Sequence, residues 1–312
     1  MTTTPDRTLT AALAILAYAL LIGFTDNFVR VVAVEAGLWQ FHAVRAVMAL
    51  ALLGLAAQVV GLDLRPLRPG AVVARSVIHA TAMLIYFGCL AFLPVAQVAA
   101  GLFTAPIFVL LISRFAFGEP IGPVRVVAVM LGFAGVLMLL GRDSLQEARL
   151  AALLPVISGA LYAFGNIVTR EWCAQERAET LLAGFFMALG VMGLVGMGVL
   201  ALVAPEVPAG TAGFVLRGAV WPGGEFYLWT FVQAAGSLLG VGLMIKAYLI
   251  ASASRVSIFE YIILPASALW GWVIWDEVLD LGAWIGMAMI AGAGAMIALR
   301  SRQLEPEATP LS

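Results

Sequence analysis

The chain has 312 residues, of which 63% are hydrophobic and 11% charged, with a formal net charge of −1. A mean hydropathy of +1.04 exceeds what a water-soluble core can bury, so a soluble enzyme or soluble binding domain is excluded and an integral membrane protein is required. The near-balanced charge and the lack of a basic cluster also exclude nucleic acid as a partner.

A membrane-crossing helix needs roughly 20 apolar residues. Ten segments qualify, near 9–31, 39–61, 71–93, 95–115, 124–141, 150–170, 180–203, 226–250, 256–275 and 281–299, and they leave no room for a soluble domain. The first runs too long for a cleaved signal peptide, lacks a small-x-small exit, and carries Asp26 and Asn27 near its end. The second holds His42 and Arg45 on one helical face, and the third holds His79 and Tyr86. Ionisable side chains inside a span are costly and tend to face a cavity or a partner, so each is a candidate. Asp26 and Arg45 lie on consecutive antiparallel spans, each on the order of 8 Å below the same surface, and are expected to pair; Arg30, four residues after Asp26, is the rival partner.

The fourth span offers Gln97 and Thr104 as hydrogen-bonding groups and Pro106 as a bend, and the fifth is rich in small residues. In the sixth, Tyr162 and Asn166 stand out, the asparagine occupying the place in its segment that Asn27 has in the first. Such repeat-related amides suggest two halves of one site. Gln233 and Tyr248 lie in the eighth span, and Glu260, Tyr261, Pro265 and Trp270 in the ninth. Glu260 reads either as a proton-coupling carboxylate or as a partner of Arg255 or Lys246. The two cysteines, Cys89 and Cys173, are read as buried thiols rather than a disulfide. Glycine spacings such as Gly132–Gly135, Gly190–Gly193–Gly196 and Gly282–Gly286 allow close helix contact, within one chain or between two copies in a homodimer.

The stretch 87–140 repeats at 245–299. Each copy has one mid-span proline, then a turn with a glutamate (Glu119, Glu277), then small residues at matched steps, Ala128 and Gly135 against Gly286 and Ala293. The basic residues fix an orientation. With the N-terminus cytoplasmic, Arg7, Arg65, Arg68, Arg75, Arg114, Arg125, Arg170, Arg177, Lys246, Arg255, Arg300 and Arg302 lie inside, and only Arg30, Arg142, Arg149 and Arg217 lie outside. Both termini are then cytoplasmic. Because a five-span repeat is odd, its second copy enters from the opposite side, which suits alternating access. The expected fold is all-α integral membrane, ten transmembrane helices as two inverted five-helix repeats, 1–146 and 147–312. Sixteen arginines against one lysine point to a GC-rich bacterial genome, hence the inner (plasma) membrane.

The Gly118-Glu119 turn, its counterpart at Glu277, the Gly- and Ala-rich fifth and tenth spans and the stretch Phe41-His42-Ala43-Val44-Arg45-Ala46 resemble the EamA branch of the drug/metabolite transporter superfamily. The resemblance covers nearly the whole chain. It implies a central cavity lined by spans 1 to 4 and 6 to 9, with spans 5 and 10 as an outer scaffold. Two departures stand out: Asp276-Glu277 replaces Gly-Glu, and a longer loop with Trp221-Pro222-Gly223-Gly224 precedes span 8.

The resulting expectation is a secondary transporter, an exporter in the first instance, of small organic metabolites or drug-like molecules. Uptake of a vitamin-like compound such as riboflavin is the alternative. The cavity candidates are Asp26, Asn27, His42, Arg45, His79, Tyr86, Gln97, Thr104, Asn166, Gln233, Glu260 and Tyr261, with Pro106 and Pro265 bending the gates. No nucleotide-binding loop or metal-ligand cluster is present, so no cofactor or metal is expected, and any pumping draws on a gradient, with a proton as the candidate coupling ion. A membrane enzyme acting on lipid, with His42, His79 and Asp26 as acid/base groups, fares poorly because these groups sit in different spans at different depths.

Overall fold

Ten helices among the described residues are long and apolar enough to cross a membrane, as the hydropathy pattern requires. The computed structural model describes residues 7–90, 93, 95–140, 151 and 153–304, the side chains of 95–97, 211 and 301–304 lying outside that set. Span 1 is α1 (Thr8–Asp26) with α2 (Val29–Glu35), span 2 is α3 (Leu38–Val60) and span 3 is α4 (Pro69–Cys89). Span 4 is α5 (Val95–Leu102) with α6 (Ala105–Phe115), span 5 is α7 (Pro123–Leu140) and span 6 is α8 (Leu153–Glu171). Span 7 is α9 (Ala178–Val203) and span 8 is α10 (Gly224–Ile250). Span 9 is α11 (Ala253–Phe259) and α12 (Ile263–Trp275) joined by a 3-10 turn at Glu260–Ile262, and span 10 is α13 (Leu281–Leu304). The proposed repeat boundary, Arg142, Arg149 and the side chains of Gln97 and Arg302 lie outside the described residues.

Hydrocarbon offers no partner to backbone polar groups, so helices are the economical solution, and side chains sort by solvent. Lipid-facing positions are apolar and exposed (Val59, Leu194, Leu202), whereas His42, Arg45, Arg75, His79 and Glu260 are buried within the bundle.

The packing has an internal regularity. Spans 1 and 8 pack as spans 6 and 3 do, spans 1 and 9 as spans 6 and 4, and spans 2 and 8 as spans 7 and 3. Spans 2 and 7 pack on each other, as do spans 5 and 10. These pairings are unchanged when every span is exchanged with the one five further on. The Glu119 turn binds Ser254 at the start of span 9, beside the start of span 1, where Arg255 Nη1 donates to Thr8 Oγ1 at 3.1 Å. The Glu277 turn binds Arg30 at the far end of span 1. The two glutamate turns therefore occupy opposite ends of the bundle, as an inverted duplication requires.

Local devices recur at both ends. Glu176 accepts the Arg68 N–H at 2.6 Å and the Leu67 N–H at 3.1 Å, capping span 3; at the other end Glu35 accepts the Gly223 N–H at 2.7 Å, capping span 8. That contact also pins the Trp221–Gly224 loop. Gly118 has φ 67° and Asp276 φ 53°, so each glutamate follows a left-handed residue. The backbone N–H of Glu119 bonds back to Ser113 O at 2.9 Å and that of Glu277 to Gly271 O at 3.4 Å, the same six-residue step. Aspartate at position 276 is thus a sequence change without a change of turn, since Asp tolerates the left-handed region better than most residues.

The glycine spacings report packing within one chain. A Cβ at Gly135 would strike the carbonyl of Gly286, and one at Gly286 the carbonyl of Gly135, so α7 and α13 meet main chain to main chain. Gly193 meets the main chain of Trp39 and Ala43 of α3 in the same way, and Gly196 makes room for the Trp39 ring.

The turn geometry yields a first prediction. Gly118→Val should destabilise the protein by roughly 1–2 kcal/mol through left-handed strain, while Asp276→Gly should leave it unchanged or slightly more stable. Thermal unfolding of the two purified variants in detergent checks the contrast.

Candidate functional site

Span 1 does not stay helical throughout. Asn27 Nδ2 donates to Gly23 O at 2.7 Å, competing for the carbonyl that continues the ladder, and also to Ser267 O of α12 at 3.2 Å. The helix stops at Asp26 and restarts at Val29. Span 4 breaks between Leu102 and Ala105, where Thr104 Oγ1 donates to Gly101 O at 2.6 Å. Pro106 follows in the first turn of α6, where a missing N–H costs nothing. Pro265 likewise opens α12, just after the 3-10 turn. The two prolines therefore start new helices after breaks rather than bending continuous ones, which corrects the expectation for both.

The breaks surround a central cavity of about 1040 Å3. Its lining includes Tyr18 and Asp26 of α1, Arg45 of α3, Tyr86 of α4, Phe103, Tyr162 of α8, Phe185 of α9 and Glu260. Arg30, Glu277, Val278 and Asp280 also border it and are exposed, so it opens at the Glu277 end. No residue of the Glu119 turn lines it. There Glu119 accepts from Arg125 Nη1 at 2.7 Å and from Ser254 Oγ at 2.6 Å, tying the turn after span 4 to span 9. At the mouth, Arg30 Nη2 meets Glu277 Oε1 at 2.8 Å and its guanidinium lies 4.7 Å from the Trp275 ring centre. Both partners are about half exposed, so this pair contributes about 0–1 kcal/mol at most.

The direct Asp26–Arg45 pair is not formed, nor is Asp26–Arg30. Asp26 Oδ1 accepts from Gln233 Nε2 at 3.0 Å, and Arg45 Nη2 donates to Ser237 Oγ at 2.6 Å. Gln233 and Ser237 are one turn apart on α10, so that helix presents a separate neutral partner to each charge, and both charges keep capacity facing the cavity. Arg45 also lies 5.6 Å from the Phe41 ring centre and 5.8 Å from that of Phe186, and its Nε has no hydrogen-bond partner.

Glu260 departs from both interfacial partnerships expected of it. It is 4% exposed, and Tyr162 Oη donates to its Oε1 at 3.0 Å; neither Arg255 nor Lys246 bonds to it. Asn166 lies in the same region of α8, one turn beyond Tyr162, with neither amide atom partnered, whereas Asn27 is engaged with backbone. The paired amides therefore have different surroundings. His42 packs against Phe41 and Phe87 with both ring nitrogens unpartnered, and His79 meets Tyr162 edge-on at 5.5 Å. Neither ring is among the cavity-lining residues. Tyr261 is fully buried, its ring pressed against Gly132 of α7, and Thr104 serves the break in span 4.

Two features escape sequence reasoning. Tyr18 lines the cavity from the apolar middle of span 1, eight residues before Asp26. Arg75, counted above only among the cytoplasmic charges, is 1% exposed inside α4, held by Thr169 Oγ1 at 2.9 Å and Leu181 O at 3.2 Å. Its position seven residues into span 3 was the available signal.

Ten crossing helices around one cavity with an opening at one end and a sealed other end are the build of a small-molecule membrane transporter. The chain belongs to the EamA-like transporter family, whose model matches residues 9–141, within the drug/metabolite transporter superfamily. It is 30% identical to a riboflavin transporter of Rhizobium johnstonii over 268 residues, 84% of this chain and 80% of that one. A riboflavin transporter of Brucella anthropi is 25% identical over 226 residues, covering 71% and 73%. The pseudopaline exporter CntI of Pseudomonas aeruginosa is 26% identical over 208 residues, 66% of each chain. A crystal structure at 19% identity shares the fold with a TM-score of 0.76 across 94% of this chain and 98% of its own. The protein is a multi-pass membrane transporter and not an enzyme.

Because Arg45 has no bonded carboxylate, losing its charge should not unfold the protein. Arg45→Gln, which can keep the Ser237 contact, is expected to change stability by less than about 1 kcal/mol while abolishing substrate binding. Thermal unfolding and ligand-induced stabilisation of the same preparations separate the two effects.

Proposed function

We propose that this protein is a secondary transporter of a bacterial inner membrane that takes up a small, planar, polar aromatic metabolite of the flavin type by alternating access. The observation that carries the reading is that Asp26 and Arg45, each with bonding capacity left over, line the same cavity as several aromatic side chains. A ring system would stack on Tyr18, Tyr86, Phe103 or Phe185, and an edge bearing both acceptors and a donor would meet the guanidinium and the carboxylate. The names of the riboflavin-transporting relatives support this substrate class.

Export is the second reading. The likeness to a pseudopaline exporter supports it, and a zwitterionic metabolite would also meet a carboxylate beside a guanidinium. In either direction the repeats 1–146 and 147–312 rock about the shared cavity. The excess of basic residues supports an orientation with both termini and the Glu119 turn in the cytoplasm and the cavity open to the periplasm. Accumulation draws on an ion gradient, with the proton as coupling ion.

Purified protein in liposomes should take up labelled riboflavin, with competition by lumichrome and loss of uptake in Arg45→Gln. Counterflow of riboflavin absent from wild type would remove the flavin reading; accumulation only against an outward orientation would favour export. Single cysteines at Ile121 and Leu279 test the orientation: in whole cells an impermeant thiol reagent should label only Leu279→Cys.

A further inference from the structure

A carboxyl group buried in a membrane helix is eased by a basic partner or by taking up a proton, and Glu260 has no basic partner. None of the ion pairs among the described residues includes it. Its neighbours are neutral and mostly hydroxylic. Tyr162 Oη, from α8, donates to Oε1 at 3.0 Å and also reaches Met244 Sδ at 2.8 Å. Tyr248 of α10 and Tyr18 of α1 are its other titratable neighbours from packed helices, with Tyr261 adjacent in the chain. The Tyr248 hydroxyl and both amide atoms of Asn166 lack a hydrogen-bond partner, at 0% and 1% exposure. The remaining elements packed on the 260–262 turn add little charge: α12 and the stretches 126–140 of α7 and 281–299 of α13 contain no ionisable residue, and α11 contains only Arg255, which bonds Ser252 and Thr8.

We infer that Glu260, with Tyr162, Tyr248 and Asn166 around it, is the protein's proton-binding site, loaded from the cavity and emptied at the opposite end. The inference names the coupling residue for the transport reading above and rests on that reading for its role in accumulation. The chemistry is one O–H bond: a proton from cavity water joins a carboxylate oxygen, and the same bond breaks on release. Two tyrosine hydroxyls and an amide suit both forms, because they donate to the anion, and the hydroxyl and amide oxygens accept from the acid. A lysine or arginine in their place would hold the carboxylate ionised. Position matters equally. Glu260 lines the cavity and starts the 3-10 turn that divides span 9, so a change in its bonding acts on the joint between α11 and α12.

Infrared difference spectra of the reconstituted protein between acidic and alkaline buffer test the site without any substrate. A protonated-carboxyl stretching band should titrate, vanish in Glu260→Gln, persist in Glu260→Asp and shift in Tyr162→Phe. It should not respond to replacing choline with sodium at fixed pH. If no titrating band is removed by Glu260→Gln, or if sodium displaces it, the proposal is overturned. Riboflavin then reports on coupling: Glu260→Gln should keep counterflow but lose accumulation driven by a pH gradient, down to the level of a gradient-free control. Full gradient-driven accumulation in Glu260→Gln would also overturn it. A titrating Glu260 band in a protein that does not exchange riboflavin would retire the flavin reading and leave the proton site standing.

Discussion

In a hydrocarbon layer every main-chain donor and acceptor must find its partner inside the protein, and the breaks in spans 1, 4 and 9 are the places where that demand is met by something other than the helix itself. Asn27 supplies the partner at the first break by bonding Gly23 and, across the interface, Ser267. Thr104 supplies it at the second by bonding Gly101. At the third the chain tightens into a 3-10 turn beginning at Glu260. All three breaks border the cavity, which lets irregular backbone exist at membrane depth and leaves the polar groups of the site where a solute can reach them.

Buried charge follows the same economy. Arg45 and Asp26 are kept apart by Ser237 and Gln233, and Arg75 is held by a hydroxyl and a carbonyl. A direct ion pair would satisfy both ions and leave little attraction for a ligand. Neutral partners satisfy part of each ion's bonding capacity and leave the remainder available, a more useful arrangement for a site that must load and release repeatedly.

The architecture was legible in the sequence because hydropathy reports every crossing. The turns were legible too, down to the kinship of Gly118-Glu119 and Asp276-Glu277, since the backbone conformation there selects a small set of residues. Partner choice was not legible. Matching depth placed Asp26 and Arg45 together, but rotation of the helices, set by packing against α10, decides which side chains bond. The break in span 1 was hidden for a related reason: it contains no proline, and the bond that Asn27 makes to Ser267 O of α12 depends on packing that the sequence does not show. For Glu260 the sequence left two readings open, a coupling carboxylate or a partner of Arg255 or Lys246, because it does not show that the helix preceding it is short and tucked against spans 1 and 4.

The seam between α7 and α13 has a mechanical consequence. At Gly135 and Gly286 the two helices touch through carbonyl and backbone atoms with no side chain between them, so sliding one along the other would bring a Cβ against a carbonyl at the next step. Translation along the seam is blocked while a small rotation about it is not. In the rocking motion proposed above this seam is the natural axle, with the spans lining the cavity travelling in proportion to their distance from it.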